Sequence, residues 1–258
     1  MNSFDELVKT VAKLRSPEGC PWDKEQTHKT LKRYLIEETY ETLEAIDSND
    51  PKMLMEELGD VLLQVILHAQ IASEKNDFNI SDVSDSINKK MIKRHPHVFS
   101  NTVVNSTEDV LKNWEIIKKE EKPHRKEILD GIPNSLPALL KAFKVSKKTA
   151  KEGFNWKEEK EIWDTFNKEV NEFKEATTLK DDSKIQDELG DLLFMVVNLA
   201  RWYKTEPEEA LSNSIKKFAQ RYTRVKELVV NSKKNLNELS SEELNTLWEK
   251  VKKENNLE

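Results

Sequence analysis

One stretch, used twice, constrains this chain more than any other. Glu57-Leu-Gly-Asp60 runs into Val-Leu-Leu-Gln-Val-Ile-Leu, and Glu188-Leu-Gly-Asp191 runs into Leu-Leu-Phe-Met-Val-Val-Asn. In each copy the Glu and Asp are three apart and share one helical face, at the head of a run that is apolar nearly all the way round. Such a helix is expected to be buried. Gly59 and Gly190 point the same way, because Gly inside a helix costs up to about 1 kcal/mol relative to Ala, and close approach of another helix would justify them.

Two more acids precede each copy, Glu38 and Glu41 in the first and Glu169 and Glu172 in the second; Glu38 to Glu57 and Glu169 to Glu188 both span nineteen positions. Two carboxylates about 4 Å apart repel by roughly 4 kcal/mol at an effective dielectric near 20, and desolvating them costs several kcal/mol more. Something positive belongs among them. Four oxygen ligands per cluster suit a hard divalent cation, Mg²⁺ or Mn²⁺, rather than zinc. A single E-x-x-E would read as a solvated acidic face, but here the spacing, the Leu-Gly and the apolar run all recur.

At 258 residues the chain can hold one large or two modest domains, and the repeat favours two. Five Gly, eight Pro and abundant Glu, Lys and Leu give an all-α expectation with short connections. A formal charge of -6 argues against a general nucleic-acid surface. The single Cys20 excludes an intrachain disulfide, and the first residues carry neither a basic n-region nor an apolar h-region, so the expected location is cytoplasmic. The apolar runs are too short to span a bilayer, which leaves no membrane partner.

Phe4, Leu7, Val8, Val11 and Leu14 form one helical stripe, which the prolines and glycine of Ser16 to Pro21 end. After a loop bearing Trp22, a helix is expected from about His28 to Asp47. Asp50-Pro51 opens the next. Ser81 is the expected N-cap of a helix carrying Lys90 and Arg94, ended by His95-Pro96-His97, and a helix from Ser106-Thr107 includes Trp114. The prolines and glycine between Pro123 and Pro137 suit a linker, giving an N-terminal domain 1–122, a linker 123–137 and a C-terminal domain 138–258. In the second domain Ala138 to Lys151 reads as a helix closed by Gly153. Phe154-Asn-Trp156 resembles the Trp22 loop, and later helices open at Glu206-Pro207 and include Trp248.

The repeat extends past the acids. Ser86-Ile-Asn-Lys-Lys90-Met-Ile-Lys-Arg94 aligns with Ser214-Ile-Lys-Lys217-Phe-Ala-Gln-Arg221, so Lys90 with Arg94 and Lys217 with Arg221 each sit four apart on one face. Trp114 and Trp248 head matching segments. A Lys/Arg pair alone is a solvated face and a Trp alone is core; together with a metal cluster they describe a phosphate site. Acids hold metal, cations neutralise a polyphosphate, and an indole stacks on a base. There is no Gly-rich phosphate cradle. His95 and His97 flank a proline and read as a turn.

These residues resemble the MazG-type nucleoside triphosphate pyrophosphohydrolases, whose mark is E-E-x-x-E followed by E-x-x-D. The first half has it intact as Glu37-Glu38-Thr-Tyr-Glu41 and Glu57-Leu-Gly-Asp60; in the second, Lys168 replaces the first Glu. Gly-Cys-Pro-Trp-Asp-Lys-Glu-Gln-Thr, Arg-His-Pro-His-Val-Phe and Asp-Leu-Leu-Phe look typical of the two-repeat members. The resemblance implies a tandem of two MazG-like helical domains with four-helix-bundle cores completed by homodimerisation. It implies Mg²⁺-dependent hydrolysis of (d)NTPs such as ATP between the α and β phosphates, to monophosphate and pyrophosphate, as nucleotide-pool housekeeping.

It also implies a site in the second half. Glu169, Glu172, Glu188 and Asp191 hold metal and activate water, Lys184, Lys217 and Arg221 bind phosphates, and Trp248 lies against the nucleoside. Glu38, Glu41, Glu57 and Asp60 form a second possible metal site in a half that serves assembly. Asn198, polar where the first half has Leu67, favours catalysis in the second half, unless it is a satisfied buried amide linking helices. A narrower dUTPase-like or phosphoribosyl-ATP-type pyrophosphatase and a non-catalytic helical nucleotide-binding adaptor are the alternatives.

Overall fold

The computed structural model describes residues 2–121 and 127–254. Residues 123–126 of the expected linker, and 255–258, lie outside the described residues. Every regular element among those described is helical, as the composition and periodicity anticipated, and none is long and apolar enough to cross a membrane. The chain divides into two compact units, Met1–Pro123 and His124–Glu258.

The first unit runs α1 (Ser3–Leu14), α2 (Pro21–Glu25), α3 (Lys32–Ser48), α4 (Pro51–Ser73), α5 (Ile80–Arg94), α6 (Pro96–Phe99) and α7 (Thr107–Glu120). Its core joins Val11 of α1 to Leu31 and to Ile66, Leu67 and Ile71 of α4, with Leu7 and Val8 packed alongside. The middle of the α1 stripe is thus buried, while Phe4 and Leu14 at its ends stay partly exposed. Helix α1 ends at Leu14, and the turn that follows brings Gly19 back against that end. A Cβ there would stand 2.2 Å from the Leu14 carbonyl oxygen, which instead accepts a 2.8 Å hydrogen bond from the Cys20 N–H. Arg15 then clamps the ends of α1 and α4 with paired 2.8 Å bonds to Glu74.

The second unit runs α8 (Ala138–Lys151), α9 (Glu159–Leu179), α10 (Asp182–Trp202), α11 (Pro207–Asn231), a 3-10 turn (Leu236–Glu238) and α12 (Ser241–Glu254). Val225 and Val229 of α11 and Val251 of α12 make one buried cluster, with Trp248 packed against it, while Phe143, Ile162, Met195 and Val197 are buried on α8, α9 and α10. Gly153 closes α8 as the sequence requires. At φ 96° it donates to the Ala150 carbonyl and Phe154 donates to the Thr149 carbonyl, both at 3.1 Å, the paired bonds of a left-handed helix terminus.

Three local expectations are corrected. The Trp22 loop contains a helical turn, because Pro21 is preset for a first helical position. Helix α3 starts at Lys32 rather than near His28, since Thr27 and Thr30 bond each other's side chains and backbone in a turn of their own. The N-cap of α5 is Asn79 rather than Ser81: its Oδ1 accepts from the Ser81 and Asp82 N–H groups, and Asp82 accepts in return from the Asn79 N–H, a reciprocal box that Ser81 has no partner to build.

A larger correction concerns the apolar runs. Leu58, Leu62 and Val65 of α4 are exposed, and so are Leu189, Leu193 and Val196 at the same three register positions of α10. Nothing lies within 4 Å of a Cβ built on Gly59 or Gly190. The helices are covered on one side only, because a single chain supplies partners for one face.

Candidate functional site

Each acid-bearing hairpin turns in the same way. Asn49 ends α3 at φ 55° and Lys180 ends α9 at φ 53°. An Asp then caps the next helix, Asp50 accepting from the Lys52 and Met53 N–H groups and Asp181 from that of Lys184. The left-handed conformation comes more easily to Asn than to Lys, yet both turns fold α3 onto α4 and α9 onto α10 in one register.

That register gathers the acids. Carboxylate oxygens of Glu38, Glu41 and Glu57 all lie within 4.8 Å of one another, and those of Glu169, Glu172 and Glu188 do the same. Asp60 and Asp191, one turn further along their helices, stand outside these triplets yet act on them. Burial first, then the charges of Asp60 and Glu41, push the Glu38 carboxyl above its ordinary range. Burial, Glu41 and Asp60 do so for Glu57. In the second cluster burial and Glu172 raise Glu169, with Lys168 opposing and Asp191 and Glu188 adding. Raised carboxyls held this close fit a site for a hard cation.

The clusters differ in their own counter-charge. Lys168 Nζ lies 2.9 Å from Glu172 and 3.9 Å from Glu169 Oε1, and Glu172, together with Glu169 and Glu188, holds the ammonium pKa above its usual value. The side chain remains 65% exposed, so water screens the pair and a divalent ion can displace it. In the first cluster the matching Glu37 supplies no such cation. Instead Gln64, buried on α4, partly offsets the upward push on the Glu38 carboxyl, and its Oε1 meets no hydrogen-bond partner among the described residues. A polar residue inside the apolar run was the signal for Gln64, and the four-residue spacing of Lys168 and Glu172 on one helix was the signal for their contact.

The basic and aromatic residues sit on α11 and α12. Lys217 is exposed, Arg221 is half-buried, and the Arg221 Nε is buried with no hydrogen-bond partner among the described residues. Trp248 packs on Phe218 with ring centres 5.1 Å apart, so it serves the core as well as flanking Arg221's helix. Lys184 is exposed in the first turn of α10, one turn ahead of Glu188. The matching residues of the first unit are arranged otherwise. Arg94 is buried, bonds Glu121 through Nε at 3.1 Å and Nη2 at 2.5 Å, and lies 5.1 Å over the Trp114 ring.

Asn198 is a satisfied buried amide. Its Oδ1 accepts from the Ser146 hydroxyl at 2.7 Å, its Nδ2 donates to the Phe194 carbonyl, and Ser146 accepts from Arg201 Nε at 2.6 Å. It links α8 to α10 and gives no argument about which half is catalytic. Ser146→Ala is expected to cost about 1–3 kcal/mol, the penalty for stranding Asn198 Oδ1 and Arg201, read as a lowered urea midpoint. A pairing absent from sequence expectation joins His28 and His68, whose Nδ1 atoms are 2.7 Å apart. They are separated by forty positions, and only the fold brings them together.

A profile of the MazG nucleotide pyrophosphohydrolase domain matches residues 26–99 and again 158–226. The chain is 46% identical over 250 residues to the nucleoside triphosphate pyrophosphohydrolase/pyrophosphatase MazG of Thermotoga maritima, covering 96% of this chain and 95% of that protein. It is 40% identical over 259 residues to the nucleoside triphosphate pyrophosphohydrolase of Escherichia coli K12, covering 98% of each. It is also 46% identical over 253 residues to the uncharacterized protein YabN of Bacillus subtilis, covering 97% of this chain and 52% of that one.

Proposed function

This chain belongs to the MazG nucleotide pyrophosphohydrolase family, and from that premise we propose that it hydrolyses nucleoside triphosphates between the α and β phosphates, releasing a monophosphate and pyrophosphate. The observation that carries the reading is the carboxylate triplet of Glu169, Glu172 and Glu188, its members within 4.8 Å of one another on a hairpin whose neighbouring helix bears Lys217 and Arg221. Mg²⁺ is the proposed cofactor. Bound there, it would supply the positive charge that the triphosphate and an attacking water require.

The chain's own residues supply the rest. Glu169, Glu172 and Glu188, with Asp191 one turn on, hold the cation. A carboxylate of this group accepts the proton of the water. Lys217 and Arg221 offset the charge on the phosphate oxygens, Lys184 adds a cation from the first turn of α10, and Trp248 gives the nucleoside an apolar face. Arg221 favours the second unit as the catalytic one, because its buried Nε is uncommitted whereas Arg94 is engaged by Glu121. The first unit, with Glu38, Glu41, Glu57 and Asp60 as a second possible metal site, serves assembly.

Homodimerisation belongs to the same proposal. Exposed Leu58, Leu62 and Val65 recur as Leu189, Leu193 and Val196, and α3 adds an outward stripe of Ile36, Tyr40 and Leu43. The matching positions of α9 are Asn167, Asn171 and Lys174. The larger apolar face is in the first unit, which supports an assembly role there. We place domain limits at 1–122 and 138–258, with 123–137 between them, and the enzyme in the cytoplasm beside its substrates.

The test is turnover of ATP, dTTP and dUTP by the full chain with Mg²⁺, products resolved. Monophosphate and pyrophosphate from all three are expected. Cleavage of dUTP alone would point to a narrower enzyme, orthophosphate release would refute α–β cleavage, and binding without turnover would make the chain an adaptor.

A further inference from the structure

The two units carry the same K-x-x-x-R helix and the same Trp, yet in the first the arginine already has an anion. Arg94 is 8% exposed, and both its Nε and Nη2 donate to one oxygen of Glu121, at 3.1 and 2.5 Å. Its guanidinium lies 5.1 Å over Trp114, and His95 packs edge-on against the same indole, ring centres also 5.1 Å apart. Glu121 follows α7 directly and is itself mostly covered, its side chain 15% exposed. Its carboxyl is held below the usual range by the hydrogen bond from Arg94, with Lys93 and Lys90 adding to the field. A carboxylate therefore sits among the cations that a polyphosphate would need, and it is charged at neutral pH.

Among the described residues the second unit has no such occupant. Arg221 Nε is buried and unpartnered, Trp248 packs on Phe218, and Glu254 at the end of α12 is bonded to Arg224 instead, at 3.4 Å. An arginine taken out of water needs an anionic partner. In the first unit the chain provides one; in the second no described residue pairs with the Arg221 Nε.

We propose that Glu121 is an internal substitute for a phosphate oxyanion, closing the first unit's Lys90, Arg94 and Trp114 to nucleotide while leaving its acidic cluster free to hold a cation. The proposal rests on the nucleotide-binding reading given above. Glu121 is thereby the residue that makes two similar repeats unequal, and its removal opens a second polyphosphate site.

Counting bound nucleotide tests this. Equilibrium dialysis of the full-length protein against α,β-methylene-ATP, which cannot be cleaved at the α–β bond, with Mg²⁺, is expected to give one nucleotide per chain for the wild type. Glu121→Gln keeps the shape and a hydrogen-bond acceptor but removes the charge, and is expected to give two. Arg221→Ala should remove the wild-type nucleotide, and Glu121→Gln with Arg221→Ala should retain one that Arg94→Ala then abolishes. If Glu121→Gln unfolds, Glu121→Ala, which removes the carboxylate altogether, serves instead, with the same second nucleotide expected.

One nucleotide in both wild type and folded variants, removed by Arg221→Ala, would overturn the proposal and leave the catalytic reading intact. Two in the wild type would overturn it as well. A wild-type nucleotide lost on Arg94→Ala and kept on Arg221→Ala would overturn both.

Discussion

Glu188→Ala is expected to lower turnover of nucleoside triphosphate by about 10²–10⁴-fold, whereas Glu57→Ala leaves it within a few-fold of wild type. A cation held against a phosphoryl oxygen contributes several kcal/mol of transition-state stabilisation, and each 1.36 kcal/mol is about tenfold in rate. Glu188 is the α10 member of the second triplet, so its loss leaves the α9 pair, one of which Lys168 already bonds, and Asp191 one turn further on. The fold is not expected to suffer. Glu188 adds to the field that pushes Glu169 up, and removing it relieves repulsion in the metal-free protein. Thermal unfolding with and without Mg²⁺ separates the two effects: the wild type should gain about 3 kcal/mol at roughly a hundred times its dissociation constant, with a smaller gain in Glu188→Ala. Equal loss of turnover in Glu57→Ala would assign chemistry to both units, and loss in Glu57→Ala alone would move it to the first.

Tyr40→Glu combined with Leu62→Glu should convert a dimer into a monomer, with the dissociation constant raised by at least about 10³-fold. Both side chains are exposed in the single chain. In a two-fold interface each substitution occurs twice, facing the same patch of the other copy. Four carboxylates would then have to be desolvated, at several kcal/mol each for an unpaired charge, which exceeds what the apolar contact can offset. Leu193→Glu in the second unit should weaken association less, because Asn167, Asn171 and Lys174 already make the flanking surface polar. Sedimentation equilibrium at micromolar protein gives the answer. A wild type that runs as a monomer, or a double variant that remains a dimer, would remove the dimer from the proposed function.

Much of this protein is local, and what is local could be read from the chain. The all-helical character follows from periodicity and the scarcity of Gly and Pro. The stop after α1, the Asp50-Pro51 start of α4 and the Gly153 end of α8 follow from backbone chemistry within a few residues. The repeat by itself pairs Glu38 with Glu169 and Lys90 with Lys217, since equal spacing on equal helices gives equal faces.

The tertiary structure decided what depends on neighbours distant in sequence. It gathers each acid triplet within 4.8 Å, because hairpin register sets whether acids nineteen apart meet. It assigns Asn198 to Ser146 and Arg201, removing a clue that sequence offered about catalysis, since a buried amide in an apolar helix looks the same whether it serves packing or chemistry. It leaves Leu62 and Leu193 uncovered, because hydropathy reports that a face needs a partner without saying which chain supplies it. It also sets Glu121 against Arg94 across 27 positions. The repeat made the two arginines look equivalent, and a single long-range ion pair distinguishes them.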